Sequence, residues 1–150
     1  MNTIPRSTLL LGLAGLLPFL WGALTVIVPS TGQWGLMNIG GRFVGPYIGL
    51  QYGTVILAFM SGVLWGFATK ATGQTATAGY ILSVIPALWA FFMVGNGPVT
   101  AATNLISGFL ALLLLDWHFW RLELAPPWWI HLRVLLTAIV VLSLLPLVFL

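Results

Sequence analysis

Five long apolar runs, separated by short stretches rich in Gly, Pro and polar residues, dominate this chain. A helix needs roughly 20 apolar residues to cross about 30 Å of hydrocarbon, because no water is present there to satisfy bare backbone groups. The runs that meet this requirement are Thr8 to Val28, Gly45 to Thr69, Ala76 to Val94, about Thr100 to Phe119, and Ile130 to Leu150. The third starts weakly, so the competing reading has four spans with that segment re-entrant. The first follows Arg6 as the core of a signal peptide would. It is too long for one, and Val28-Pro29-Ser30 is a poor cleavage site, so an uncleaved span is expected. The connections PSTGQWGLMNIGGR, KATGQT, GNGP and WRLELAPPWW carry turn-forming residues. Short connections make neighbouring spans antiparallel, which predicts an all-α, up-and-down bundle of five transmembrane helices in one domain. The longest connection, Pro29 to Val44, holds Trp34, Met37, Ile39 and Phe43 and is expected to lie along the membrane interface.

Composition strengthens this reading. Hydrophobic residues make up 60% of the 150 positions and charged residues 5%, against about 25% charged in soluble domains. Too few charges exist to cover a water-soluble body. The five Lys+Arg and two Asp+Glu leave a net +3, yet Arg6, Arg42, Lys70, Arg121 and Arg133 are scattered rather than clustered, so no nucleic-acid partner is expected. They act instead as topology markers. Arg6, Lys70, Arg121 and Arg133 fall on one side of a five-span bundle and Arg42 on the other. The positive-inside bias therefore predicts a cytoplasmic N-terminus and a periplasmic C-terminus in a bacterial inner membrane. Trp117, Trp120, Trp128 and Trp129 gather at the basic boundary, with Trp21, Trp34 and Trp89 towards the opposite one, as in an aromatic belt.

Four features stand out as candidates for function. Gly41, Gly45, Gly49 and Gly53 recur every four residues, and Thr54, Ala58, Gly62 and Gly66 continue on an adjacent stripe. Small residues at this spacing let helices approach closely in lipid, where association rests on packing. Internal packing is the first expectation, with Ala14, Pro18, Gly22, Asn104 and Gly108 as complements; docking of a foreign helix is the second. Pro18, Pro86 and Pro146 lie inside spans, each removing a backbone hydrogen bond and favouring a kink. Asp116 sits within the last turn of its span, where an Arg partner would offset the cost of desolvating its charge. Arg133, one turn into the antiparallel fifth helix, is the expected partner and Arg121 the second choice. Tyr47, Gln51 and Tyr52 form a further polar patch, expected to make interhelical hydrogen bonds.

Chemistry has little material here. Without cysteine, thiolate catalysis, disulfides and zinc ribbons are excluded. His118 and His131 share a boundary, but a metal would want further ligands from a chain with two acids, so neither metal nor cofactor is expected. No nucleophile or nucleotide motif occurs, and every charge lies near a span end. No catalytic activity is expected.

The segments LGLAGLLPFL, YGTVILAFMSGVLWGFA, YILSVIPALWAFF and PPWWIHLRVLLTAIVVLSLL, in that order, resemble a family of small bacterial inner-membrane proteins of unknown function that includes the animal mitochondrial transmembrane protein sixty-nine. The resemblance covers nearly the whole chain apart from Pro29 to Arg42. It is carried most specifically by Tyr52-Gly53, Trp65-Gly66 and Leu132-Arg133. Two departures are Leu64, where the family often has His or Arg, and His131, near which it usually has an aromatic or aliphatic residue. The resemblance implies a multi-pass membrane protein and supplies no reaction or substrate. The expected function is a non-catalytic accessory or assembly subunit of a larger inner-membrane complex, with respiratory or photosynthetic complexes as the expected setting. Its partners would then be membrane lipids and other transmembrane subunits. The alternative is a small-molecule or lipid-binding membrane protein or transporter, with a cavity between kinked helices near Tyr52, Trp65 and Asp116.

Overall fold

In the computed structural model, which describes residues 3–150, six of the seven α-helices build five membrane-length spans. The first span is α1 (Arg6–Ala14) followed by α2 (Leu17–Ile27). A short α3 (Pro29–Asn38) and a 3-10 turn (Gly41–Phe43) lead into α4 (Tyr47–Ala68), α5 (Gly73–Met93), α6 (Pro98–Arg121) and α7 (Trp129–Val148). No strand occurs among the described residues. Each of the five spans is long and apolar enough to cross a membrane, the third included, so the re-entrant alternative falls. That third span begins at Gly73, three residues before the apolar run. Its first turn is polar and exposed, because helical hydrogen bonds do not require apolar side chains once the chain reaches the membrane boundary.

The chain between the first two spans is not the irregular loop its breakers suggest. Pro29 takes the first position of α3, where the missing N–H costs nothing, and Thr31 Oγ1 donates to the Val28 carbonyl at 2.7 Å. Trp34 and Met37 on this helix are exposed. Trp21 of α2 donates Nε1–H to the Phe43 carbonyl at 2.7 Å, tying the segment to the bundle.

α4 is the hub, packing on α5, α6 and α2, while α7 lies against α6 and α2. Leu57 and Leu64 of α4, Leu105, Phe109 and Leu112 of α6, and Leu144 of α7 form the sealed centre. The glycines at one end of α4 serve this packing. An added Cβ on Gly49 would meet Leu144 and Leu147 at 3.6 Å, and one on Gly53 would collide with Leu105. Gly22 of α2 lies against Ile48 and the Gly49 backbone, and Gly45 abuts the Gly22 carbonyl. Gly41 does not belong to this stripe, because it sits in the 3-10 turn ahead of the helix. Ala58, Gly62 and Gly66 do not pack internally either: all three are exposed, and a Cβ on either glycine would meet nothing within 4 Å.

Of the three intraspan prolines, only Pro18 breaks its helix. It cannot donate to the Ala14 carbonyl and its ring crowds that oxygen, so the chain resets at Gly15–Leu16, with Leu16 N–H bonding to Leu13 in 3-10 fashion. α1 then leans on α7 and makes no substantial contact with α4. α5 and α7 run through Pro86 and Pro146. At Pro86 a neighbour repairs the damage: the Ala87 N–H donates to Ser61 Oγ of α4 at 2.8 Å.

Candidate functional site

The helical hairpin α6–α7 brings two charges together in the interior. α6 ends at Arg121 and is closed by Glu123, a left-handed residue (φ 60) after which the Leu124 N–H returns to the Phe119 carbonyl. Lys70 Nζ donates to the Leu124 carbonyl at 3.2 Å, holding this turn against the α4–α5 connection. The chain then reverses through Ala125-Pro126-Pro127 and enters α7 at Trp129. Trp129, Arg133 and Thr137 follow at four-residue spacing, which places all three on one face of α7.

That face meets Asp116, whose residue surface is 0% exposed. Arg133 Nε donates to Asp116 Oδ2 at 2.8 Å, and Trp129 Nε1 donates to Oδ1 at 3.0 Å. The carboxylate thus has a donor on each oxygen, the arrangement a buried charge needs. Arg133 is the partner, as its position one turn into the antiparallel helix requires. Arg121 is not: it is exposed and stands over the Trp117 ring, 4.9 Å from the centroid. Trp129 is a component that the charge pattern alone does not reveal. Its spacing from Arg133 is the sequence signal for it.

Beyond Arg133 the interior is not filled. A cavity of about 180 Å³ lies between α1–α2, α4, α6 and α7, with Arg133 and Thr137 on its wall beside Phe19, Met60 and Phe109. It exists because the break before Pro18 leaves α1 on α7 while α2 stays against α4. Leu11 and Phe59 line it as well and are exposed, so its mouth faces the lipid between α1 and α4. The cavity expected around Tyr52, Trp65 and Asp116 does not form. Asp116 is sealed behind Arg133, Tyr52 packs edge-on against Phe19 and lines a separate surface hollow with Arg42 and Gln51, and Trp65 lies against Tyr80 with ring centroids 4.5 Å apart and planes tilted by 46°. Tyr52 lies near the opposite end of the bundle from Trp65 and Asp116, Trp65 is turned outwards while Asp116 is buried, and the space opens where a helix is broken instead of where polar residues occur. In place of hydrogen bonds between spans, the Tyr47–Gln51–Tyr52 patch makes one side-chain hydrogen bond among the described residues, from Arg42 Nε to Gln51 Oε1 at 3.1 Å. His118 and His131 are both exposed, each beside an aromatic ring, Phe119 and Trp120 respectively.

A family model described as a protein of unknown function, DUF3429, matches residues 4–149. The chain belongs to this family. A relative with curated sequence, transmembrane protein 69 of Xenopus tropicalis, is 33% identical over 96% of the chain. The chain spans about half of that relative, 54% of its length. No solved structure matches. Within this DUF3429 chain, the Leu132-Arg133 entry to the last span supplies the buried cation, and Tyr52-Gly53 supplies the ring against Phe19 and the contact with Leu105. The Trp65-Gly66 pair faces outwards.

Proposed function

We propose that this multi-pass membrane protein is a non-catalytic accessory or assembly subunit of a larger bacterial inner-membrane complex, respiratory or photosynthetic in setting. The observation that supports this reading is the divided glycine stripe of α4. Gly45, just ahead of α4, and Gly49 and Gly53 within it are consumed by internal contacts, whereas Ala58, Gly62 and Gly66 form a shallow groove, flanked by Val55, Phe59 and Trp65, that no helix among the described residues covers. Small residues facing lipid gain nothing from lipid tails, which any apolar side chain would satisfy. A foreign helix lying in that groove could approach closely enough for extensive backbone and side-chain contact.

The test is migration on native gels after extraction in mild detergent. The native chain is expected in a larger assembly, and Gly62→Trp is expected to release it as a small free species, with Gly62→Ala retained. An added Cβ there meets nothing within 4 Å, and the thermal unfolding midpoint of Gly62→Trp is expected to match that of the native chain. Migration of the native chain only as a small species, or of Gly62→Trp unchanged, overturns the proposal, as does a cross-link from position 62 only to a second copy of the chain.

The orientation belongs to the same proposal. Lys70, Arg121 and Arg133 stand at one end of the bundle with the start of α1 at Arg6, and Arg42 at the other, which supports a cytoplasmic N-terminus and a periplasmic C-terminus. Single cysteines in this cysteine-free chain report it directly. Thr72→Cys is expected to resist a membrane-impermeant maleimide applied to intact spheroplasts, and Gly95→Cys to react; the reverse pattern inverts the topology.

A further inference from the structure

We propose that Arg42, ahead of α4, holds the phosphate of a singly anionic diacyl phospholipid, with one acyl chain in each of the two hollows that flank it. The inference goes beyond the subunit reading and concerns the opposite end of the bundle from the Asp116–Arg133 pair.

The placement of the cation carries the case. Arg42 belongs to the 3-10 turn, yet its Nε–H donates to Gln51 Oε1 at 3.1 Å, which carries the guanidinium across to the second turn of α4. Gln51 and Val55, four apart, share one exposed face of that helix. Arg42, Gln51 and Val55 line both of two surface hollows, so this strip is the ridge between them, charged at the 3-10 turn and apolar further in. One hollow, of about 510 Å³, lies towards the α5–α6 connection, where Gly95, Gly97 and Ala101 leave the far wall without bulk. The other, of about 270 Å³, lies towards α2 and takes in Pro18, where the first span breaks. Val55 stands about 12 Å into the span from Tyr47, at about 1.5 Å per residue. The hollows therefore run inwards from the membrane boundary, the direction acyl chains take.

Hydrogen bonding and charge select the head. Arg42 is exposed, and only its Nε–H meets a protein acceptor among the described residues. Gln51 spends its carbonyl oxygen on that bond, so its NH2 is what remains. Arginine has no acceptor of its own, and the pair thus presents donors alone. No carboxylate side chain balances the charge. The two acids are Asp116 and Glu123, and Asp116 lies about 27 Å along α6 from Pro98 at the larger hollow. A phosphodiester supplies acceptor oxygens and the one negative charge together. A zwitterionic head adds an ammonium for which this pair has no acceptor, and a doubly charged head leaves an excess at the boundary. Two hollows beside one cation select two chains.

The experiment offers the full chain, in detergent micelles, equal amounts of dioleoylphosphatidylglycerol and dioleoylphosphatidylcholine and reads the lipid retained in native mass spectra. One phosphatidylglycerol is expected to be retained, preferred by about fivefold, the usual contribution of a single cation at a charged membrane surface. Arg42→Gln is expected to bring the two lipids to parity while keeping its unfolding midpoint in lipid-free micelles. Arg121→Gln, which removes an exposed cation at the other end, is expected to leave the preference unchanged. Parity on the native chain overturns the site, as does a loss in Arg121→Gln as large as that in Arg42→Gln. Lysophosphatidylglycerol held as tightly as the diacyl lipid overturns the two-chain assignment, and tighter retention of cardiolipin overturns the single charge. Displacement by glycerol phosphate overturns the lipid in favour of a soluble phosphate ester. Should Arg42→Gln fail to fold, the ranking of these lipids on the native chain and the Arg121→Gln control still decide.

Discussion

Replacing Arg133 with leucine alone is expected to destabilise the folded protein by about 3–5 kcal/mol, the usual cost of leaving one member of a buried ion pair uncompensated. Asp116 would keep only the Trp129 N–H at 3.0 Å, with its second oxygen facing apolar side chains. Asp116→Leu alone is expected to cost a similar amount, because the Arg133 side chain is 7% exposed and has no other carboxylate within reach among the described residues. The informative variant is the double one. With both charges gone, neither desolvation cost remains, and an apolar pair of similar volume is often neutral or better. Asp116→Leu/Arg133→Leu is therefore expected to lie within about 2 kcal/mol of the native protein, a loss far smaller than the sum of the single losses. Reversible unfolding in mixed micelles, read by tryptophan fluorescence, closes the cycle. Additive single and double losses would mean that the two residues act independently and that the 2.8 Å contact carries no coupling.

Gly79→Val is expected to be the most damaging of the glycine substitutions on α5. An added Cβ would stand 2.9 Å from the Cβ of Ala68 and 3.5 Å from Phe119, and the obstacle on α4 is an alanine with no flexible end to move aside. The helices must separate, and α4–α5 is the most extensive contact in the bundle. Overpacking of a close interface costs about 1–3 kcal/mol per site, and the two extra methyls of valine place this variant at the upper end. Gly66→Val supplies the control on the facing span. Its Cβ enters open space, so a change within about 0.5 kcal/mol is expected once helix propensity is allowed for. Unfolding midpoints of the two variants in the same micelles make the comparison, and equal losses would remove the distinction between covered and uncovered glycines on which the docking proposal stands.

The membrane-spanning architecture was legible because it depends on local quantities. Run length and the absence of charge decide whether a segment lies in lipid, since backbone groups there must be satisfied within the segment whatever its neighbours are. The Asp116–Arg133 pair was legible for a related reason: short connections force antiparallel neighbours, and antiparallel register brings the last turn of one helix to the first turns of the next. Trp129 escaped notice because its apolar ring and boundary position read as belt. Its N–H found a buried acceptor only through the register with Asp116.

Other features needed the packed chain. Gly49 and Gly62 sit on adjacent stripes of the same four-residue spacing, yet one lies against Leu144 and the other against nothing, since small-residue spacing says how closely a helix can approach and not whether one does. Likewise Pro18, Pro86 and Pro146 are alike as residues. Pro18 breaks its span, while at Pro86 the neighbouring Ala87 N–H finds Ser61 across the interface. Length, polarity and charge along the chain settle which segments enter the bilayer, because each segment meets lipid by itself. The cavity beside Arg133 and the open face of α4 arise only when five spans compete for the same neighbours, and what is left uncovered after that competition is a property of the whole bundle.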